Sequence, residues 1–180
     1  TFTVQPIEDD LLKKCLGGKG LASILLLAHN PVQVDPLGPD NILGFLTGPL
    51  TGTPAIIGSR FVVVAKSPKT AGGWGDANCG GFFGPHMKFA GVDGILFSGI
   101  SAKLAYLFVN EGEAELVEAD DLWGMGVSPL EDALKDRHGQ DIQICSIGPA
   151  GENLVHFAAV LGDRGHAAGH NGLGAVMGSK

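Results

Sequence analysis

Short apolar runs alternate with glycine-rich breaks along most of the chain, and their periods predict a mixed set of elements. Thr1–Ile7 alternates apolar and polar positions and predicts a strand. Glu8–Leu16 predicts a helix, with acids in its first turn to suit the helix dipole. Gly17–Gly20 predicts a turn, and Leu21–His29 an apolar helix stopped before Pro31. Strands are predicted at Asn41–Thr47 and at the Val-rich Arg60–Lys66. A short helix follows at Pro85–Ala90, then strands at Gly94–Ser98, Leu104–Val109 and Ala114–Glu118, the last two joined by a hairpin turn at Gly112. Ser128–Arg137 predicts a helix with Ser128 as N-cap and Pro129 at its first position. Ile142–Ile147 and His156–Val160 complete the predicted strands.

The pattern repeats. Leu46-Thr47-Gly48-Pro49 has a counterpart in Ser146-Ile147-Gly148-Pro149, and each follows a predicted strand. Each is followed by a second apolar strand and then a glycine cluster, Asn78–Gly84 or Gly169–Gly174. Met87 and Met177 come next, each in a predicted short helix. In the first half a strand follows at Gly94–Ser98; in the second, Lys180 falls where that strand is due. Two such halves predict an internal pseudo-two-fold repeat with both glycine clusters at one ligand.

The stretch Thr47–Lys88 offers backbone rather than side chains to whatever it meets. Glycine tolerates positive φ and close main-chain approach, and successive N–H groups in such turns make concave anion sites. The expected occupant is a large, phosphate-bearing small molecule.

Composition narrows the partners. Glycine, 29 of 180 residues, is about twice its usual share. The net charge of −7 without basic runs argues against nucleic acid, so any phosphate here is held by local geometry. Cys15, Cys79 and Cys145 lie far apart without a CxxC pair, which excludes a zinc ribbon or iron–sulfur cluster built from these residues alone. An odd, sparse cysteine set fits a reducing compartment and a cytoplasmic location. No apolar stretch is long enough to span a membrane and no signal-peptide pattern opens the chain, so no membrane partner is expected. The chain lacks an initiator Met and is expected to be a fragment of a longer one.

Six motifs in order carry a resemblance. They are GPLTGT at Gly48–Thr53, GSRFVVVAKSP at Gly58–Pro68, ANCGGFFG at Ala77–Gly84, KFAGVDGILFSG at Lys88–Gly99, SIGPAGENLV at Ser146–Val155 and AAGHNGLGAVMGSK at Ala167–Lys180. Together they resemble the N-terminal domain of the aldehyde:ferredoxin oxidoreductase family, tungsten or molybdenum bis-pterin enzymes. Any one motif alone is weak; the ordered series over nearly the whole chain is specific. The resemblance implies an α+β base domain, 1–180, with two stacked β-sheets and flanking helices, carrying one face of the metal–pterin cofactor. The cysteines of a [4Fe–4S] cluster and the pterin-binding Asp and Gly-Leu motifs belong to later domains of the family and are not in this sequence.

The resemblance also assigns roles. Arg60, the arginine of GxR, matches a pterin-binding position near the cluster. Asn78 and Ala167 match positions whose backbone carbonyls hold a magnesium ion joining the pterin phosphates, hard oxygen ligands of the kind magnesium takes. Cys79, Gly80, Gly81, Ala168 and Gly169 complete the two cofactor-binding turns, with His166 and His170 where the family usually has arginine. Arginine grips phosphate with two parallel donors and is always charged, whereas histidine titrates near neutrality with one donor per face. The substitution implies weaker grip or a divergent branch, with Arg164 nearby to compensate. Cys79 is read as a weak thiol donor at most, not a metal ligand. The His166/His170 spacing of i, i+4 makes a poor metal pair, because Gly169 and Asn171-Gly172 disfavour a helix there.

The remaining residues read more plainly. His86 and Met87 pack or cap their short helix, Trp123 is structural, and Trp74 is equally suited to covering the cofactor or to surface packing. Glu111–Asp121 reads as a solvated hairpin edge. No residue serves as a general base, so no catalytic residue is assigned. The resemblance implies oxidation of an aldehyde to a carboxylic acid with ferredoxin as acceptor, partnered by the remaining domains. Two alternatives stay open, an aromatic-ring reductase and a non-catalytic binding or assembly module. Homo-oligomer contacts in the family come from beyond this domain, and an isolated chain is expected to self-associate through its apolar, glycine-lined face.

Overall fold

The computed structural model describes residues 1–180. Helices α1 (Asp9–Cys15) and α2 (Gly18–His29) open the chain, followed by strands β1 (Leu43–Thr47), β2 (Phe61–Ser67) and β3 (Gly73–Cys79), helix α3 (Phe83–Phe89) and strand β4 (Gly94–Phe97). The hairpin β5 (Ala105–Asn110) and β6 (Glu113–Glu118) leads into α4 (Val127–His138). The last part holds β7 (Cys145–Ser146), α5 (Pro149–Glu152), β8 (Val160–Gly162), β9 (His166–Ala168) and α6 (Leu173–Gly178).

Three antiparallel sheets result, in the orders β3-β2-β1-β4, β5-β6 and β7-β8-β9. β2 is central, and both of its faces are buried, which is why it reads as an uninterrupted Val run rather than an alternation. Its odd-numbered residues Phe61, Val63 and Ala65 join Leu43 and Phe45 of β1 in a core shared with Val160, Ala168, Leu173 and Val176 of the second half. Its even residues Val62 and Val64 join Ile42 and Leu46 against Leu21, Ala22 and Leu26 of α2. Phe45 and Phe61 stack at 6.5 Å between ring centroids, and Phe83 of α3 lies 5.2 Å from Phe61. The four-stranded sheet is thus a layer between α1–α2 on one side and the β7–β9 half on the other.

The internal repeat is visible as connectivity. β1-β2-β3-α3 and β7-β8-β9-α6 each form a three-strand meander followed by a short helix. The two halves are tied across their shared core by Ser67, whose Oγ donates to the Asn171 carbonyl at 2.7 Å.

Several elements differ from expectation. Thr1–Ile7 forms no strand; no neighbouring segment pairs with it, and a strand exists only through its ladder. Gly17–Gly20 is not a free turn, since α2 begins at Gly18. α4 starts earlier than predicted, with Gly126 rather than Ser128 at its N-cap. Pro129 therefore stands at the third helical position rather than the first. Its missing N–H still costs nothing there, because first-turn N–H groups have no intrahelical partner. The strand expected at His156–Val160 forms later, as β8: Val155 N–H bonds Ala150 O at 2.9 Å and Ala158 N–H bonds Val155 O at 2.8 Å, which keeps that segment turned. β7 is shorter than expected because Ile144 packs with Leu122, Leu130 and Leu134 against α4. Two strands were missed. β3 is glycine-rich and β9 has three residues, so neither shows a β-propensity signal.

Asn41, fully buried ahead of β1, extends the sheet with its side chain. Its Nδ2 donates to Pro36 O at 2.7 Å and Lys66 O at 3.0 Å, and its Oδ1 accepts from Lys66 N–H at 3.0 Å. Asn41→Ala removes all three bonds and strands buried main-chain groups of β2. The expected loss is about 2–4 kcal/mol in urea denaturation, against under ~0.5 kcal/mol for the exposed control Lys14→Ala.

Candidate functional site

The antiparallel register pairs Phe61 with Cys79 and Val62 with Asn78, which sets Arg60 beside the turn that leaves β3. Arg60 Nε donates to the Asn78 side-chain oxygen, and Nη2 reaches the Asn78 main-chain oxygen at 3.4 Å. The Arg60 backbone is fixed by Thr51, whose buried hydroxyl donates to Arg60 O at 2.7 Å while accepting from Gly48 N–H at 3.1 Å. The GPLTGT loop therefore aims the arginine. Arg60 forms no ion pair, so an exposed guanidinium is held by neutral oxygens alone and its charge is uncompensated.

Alternation along β3 sends Ala77 and Cys79 into the core and leaves Asn78 exposed on the opposite face with Asp76. Lys19, at the start of α2, pairs with Asp76 at 2.5 Å. A groove of about 610 Å³ opens beside this face, lined by Leu16, Lys19, Leu50, Ile57, Arg60 and Asn78 among others.

The second glycine motif lies against the first. A Cβ placed on Gly80 would stand 3.1 Å from Arg60 Nη1 and 3.5 Å from His166 Cδ2, so these two side chains flank the same glycine. Farther along, Asn171 Nδ2 donates to the Asp76 carbonyl. The chain from His166 to Asn171 thus runs opposite to Asp76–Gly81, side by side. Arg60, Asn78, Gly80, Gly81 and His166 lie together. Ala167 is exposed in β9, whereas Ala168 and Cys79 are in the core; their contribution to this surface is main chain. His170 adopts a left-handed φ of 78°, and His166 is in a strand, so the two are not an i, i+4 helical pair. No group of three or more metal-ligating side chains is present.

Two carboxylates that the sequence did not single out organise this seam. Asp163 Oδ2 accepts from Phe82 N–H at 2.5 Å, crossing from the second half to the first. Gly81 has φ of 83°, and the Asp163 carboxylate fills the space its Cβ would need. Asp163 and Arg164 both have left-handed φ, 48° and 59°, in a tight turn closed by Gly165 N–H to Gly162 O at 3.1 Å. Such a turn suits Asn-Gly better than Asp-Arg. Glu131 of α4, only 2% exposed, holds it by accepting from Arg164 N–H at 2.8 Å. The Arg164 guanidinium turns to Asp132 and Glu131. It does not serve the glycine surface as the sequence suggested, because two carboxylates on α4 already engage it. The only local signal for Asp163 was an acid between two glycines, Gly162 and Gly165, which also fits an ordinary loop.

Trp74 is partly exposed and donates its indole N–H to Asp76 at 2.9 Å. Met87 is buried in the shared core, His86 lies 5.7 Å from the Phe89 ring, and Trp123 is nearly half exposed in a turn. The acids of Glu111–Asp121 are exposed as expected, with Glu118 paired to Lys103 and Asp121 to Arg137. No helix is long and apolar enough to cross a membrane.

Burial pushes the Cys79 thiol above the ordinary range, opposed by the neighbouring Arg60 charge and reinforced by Asp163. Burial pushes Cys145 up further. Raised thiol values mean that the fold favours the neutral form; this stabilisation is present below the ordinary thiol range and is lost as pH rises through the folded values. At pH 8, iodoacetamide is expected to modify Cys15 at least ~10-fold faster than the buried Cys79, read by peptide mass spectrometry. Equal rates for the two would contradict the burial described.

The sequence and the fold match a known domain. The sequence profile described as "Aldehyde ferredoxin oxidoreductase, N-terminal domain" matches residues 1–180. The chain belongs to this family of oxidoreductase N-terminal domains. It is 49% identical over 178 residues to the tungsten-containing aldehyde ferredoxin oxidoreductase of Thermococcus kodakarensis, covering 98% of this chain and 29% of that protein. The corresponding enzyme of Pyrococcus furiosus is 47% identical over 178 residues, with the same coverage. Among solved structures, the active site complex BamBC of benzoyl coenzyme A reductase, in complex with 1,5-dienoyl-CoA, superimposes with a TM-score of 0.93 at 36% identity. That match covers 97% of this chain and 26% of the other. The chain therefore spans less than a third of the relatives it matches.

Proposed function

We propose that this domain holds one face of a tungsten or molybdenum bis-pterin cofactor in an enzyme that oxidises aldehydes to carboxylic acids, with ferredoxin as electron acceptor. The observation that carries this reading is the seam at Gly80, where Arg60 from one half and His166 from the other flank a glycine main chain. The surface fits the group. An uncompensated guanidinium suits an anionic ligand, glycines admit close approach, and the main chains of Asn78 and Ala167 lie on adjacent antiparallel segments. Arg60 would donate to the pterin, and the Asn78 and Ala167 carbonyls would be ligands of a magnesium ion between the pterin phosphates. His166 and His170 would face the phosphate side, with Gly80, Gly81 and Gly169 as the approach surface and Cys79 and Ala168 as the anchors beneath it.

The bound cofactor supplies the two-electron chemistry of the metal: an aldehyde and water give a carboxylic acid, two protons and two electrons. This chain's residues would bind and orient that group. No residue of this chain is assigned a proton-transfer or nucleophilic role in that step. A [4Fe–4S] cluster, the substrate pocket and the ferredoxin contact belong, in this proposal, to the domains beyond this one. The higher identity to the aldehyde enzymes than to the benzoyl coenzyme A reductase complex favours an aldehyde over an aromatic-ring substrate.

The test uses the full-length protein. Purified anaerobically, it is expected to contain tungsten or molybdenum with pterin by elemental and fluorescence analysis, and to reduce ferredoxin when given an aldehyde. Arg60→Ala is expected to lower that rate about 10- to 100-fold, the loss of one charge-assisted hydrogen bond, with cofactor content reported alongside. Absence of both metals and of pterin would refute the proposal.

A further inference from the structure

We propose that Asn171 is a deamidation site that the seam between the two halves holds shut, its side-chain amide being lost through a cyclic imide once the halves part. This does not rest on the cofactor reading. Asn171-Gly172 is the single Asn-Gly pair in the chain; the other five asparagines precede Pro31, Ile42, Cys79, Glu111 and Leu154. Glycine hinders least the approach of its own nitrogen to the preceding side-chain carbonyl, and it leaves the backbone free to reach that geometry. Here the nitrogen is unengaged. The Gly172 N–H lies between β9 and α6 and donates to no protein acceptor.

The fold requires both residues, which is why so labile a pair stands at this place. Gly172 has φ of 73°, and a Cβ there would stand 2.1 Å from the His156 carbonyl oxygen and 3.1 Å from Pro68 Cγ, so any side chain collides with main chain. Asn171 spans the seam with its amide. Its Nδ2 donates to the Asp76 carbonyl, and its own main-chain carbonyl accepts from the buried Ser67 hydroxyl at 2.7 Å. Ring closure needs Cγ to swing onto the Gly172 nitrogen, a movement that these two bonds resist. Once they are released, that nitrogen gives its proton to hydroxide and attacks Cγ. The Cγ–Nδ2 bond breaks, ammonia leaves and a succinimide closes; water then opens either of its carbonyls to give aspartate or isoaspartate. An ionised carboxylate only accepts hydrogen bonds, so neither product donates to the Asp76 carbonyl. Isoaspartate also adds a methylene to the main chain. The modification therefore removes a hydrogen bond of the seam permanently.

The full-length protein, held at mildly alkaline pH in native buffer and in urea, tests this beside a synthetic peptide of Gly165–Lys180. The amide-to-acid mass increase at Asn171 is followed in tryptic digests. The denatured protein and the peptide are expected to deamidate at Asn171 within about twofold of each other, and the native protein at least ~10-fold more slowly. This comparison needs no variant to fold. Ser67→Ala removes one of the two bonds and is expected to raise the native rate about 3- to 10-fold, the loss of one hydrogen bond. Leu26→Ala opens a cavity under α2, on the opposite face of β2, and is expected to leave the native rate within about twofold. A native rate equal to that of the peptide, no deamidation at Asn171 in urea, or equal acceleration by Ser67→Ala and Leu26→Ala would each overturn the proposal.

Discussion

The structure depends on one seam, where the main chain of Asp76–Gly81 lies against that of His166–Asn171. Three hydrogen bonds cross between the halves there: Ser67 to Asn171, Asn171 to Asp76, and Phe82 to Asp163. Behind them the core is common property, since Phe61 and Val63 from one half pack with Val160 and Val176 from the other. Neither meander buries both of its faces alone. The seam is close because glycine occupies it, and at Gly81 an aspartate fills the volume that any side chain would claim. Tight main-chain approach thus serves the fold first, and the surface it leaves is backbone-rich as a consequence.

Chemistry enters at the rim. Arg60 is placed by Thr51 from the preceding loop and held by neutral oxygens, so its charge faces outward uncancelled. Arg164, close in sequence to Ala168, has the opposite fate and is consumed by carboxylates on α4. Two arginines near one surface therefore differ in what they can offer a ligand. The difference lies in partners distant in sequence, 33 residues in the case of Glu131 and Arg164.

How much was legible follows from the same contrast. Local patterns carried α2, β1, β2, the β5–β6 hairpin and the repeat, because apolar periodicity and glycine breaks are written in adjacent residues. Arg60 and Asn78 were found through motif resemblance, and register then brought them into contact. β3 and β9 were not legible, since their pairing comes from neighbours rather than from β-prone side chains. Asp163 and Glu131 were missed for a related reason: an acid reads as solvated until the fold buries it against a specific N–H. Thr1–Ile7 shows the converse, an alternation with no neighbour to pair with.

The central claim is that both glycine motifs form a single cofactor surface. Anomalous diffraction from crystals of the full-length protein, collected at the tungsten and molybdenum edges, tests it most directly. The predicted result is a metal peak above the seam, with a phosphate-bound ion contacting the carbonyls of both Asn78 and Ala167. A metal peak remote from Arg60 and Gly80, or cofactor density meeting only one of the two motifs, would contradict it.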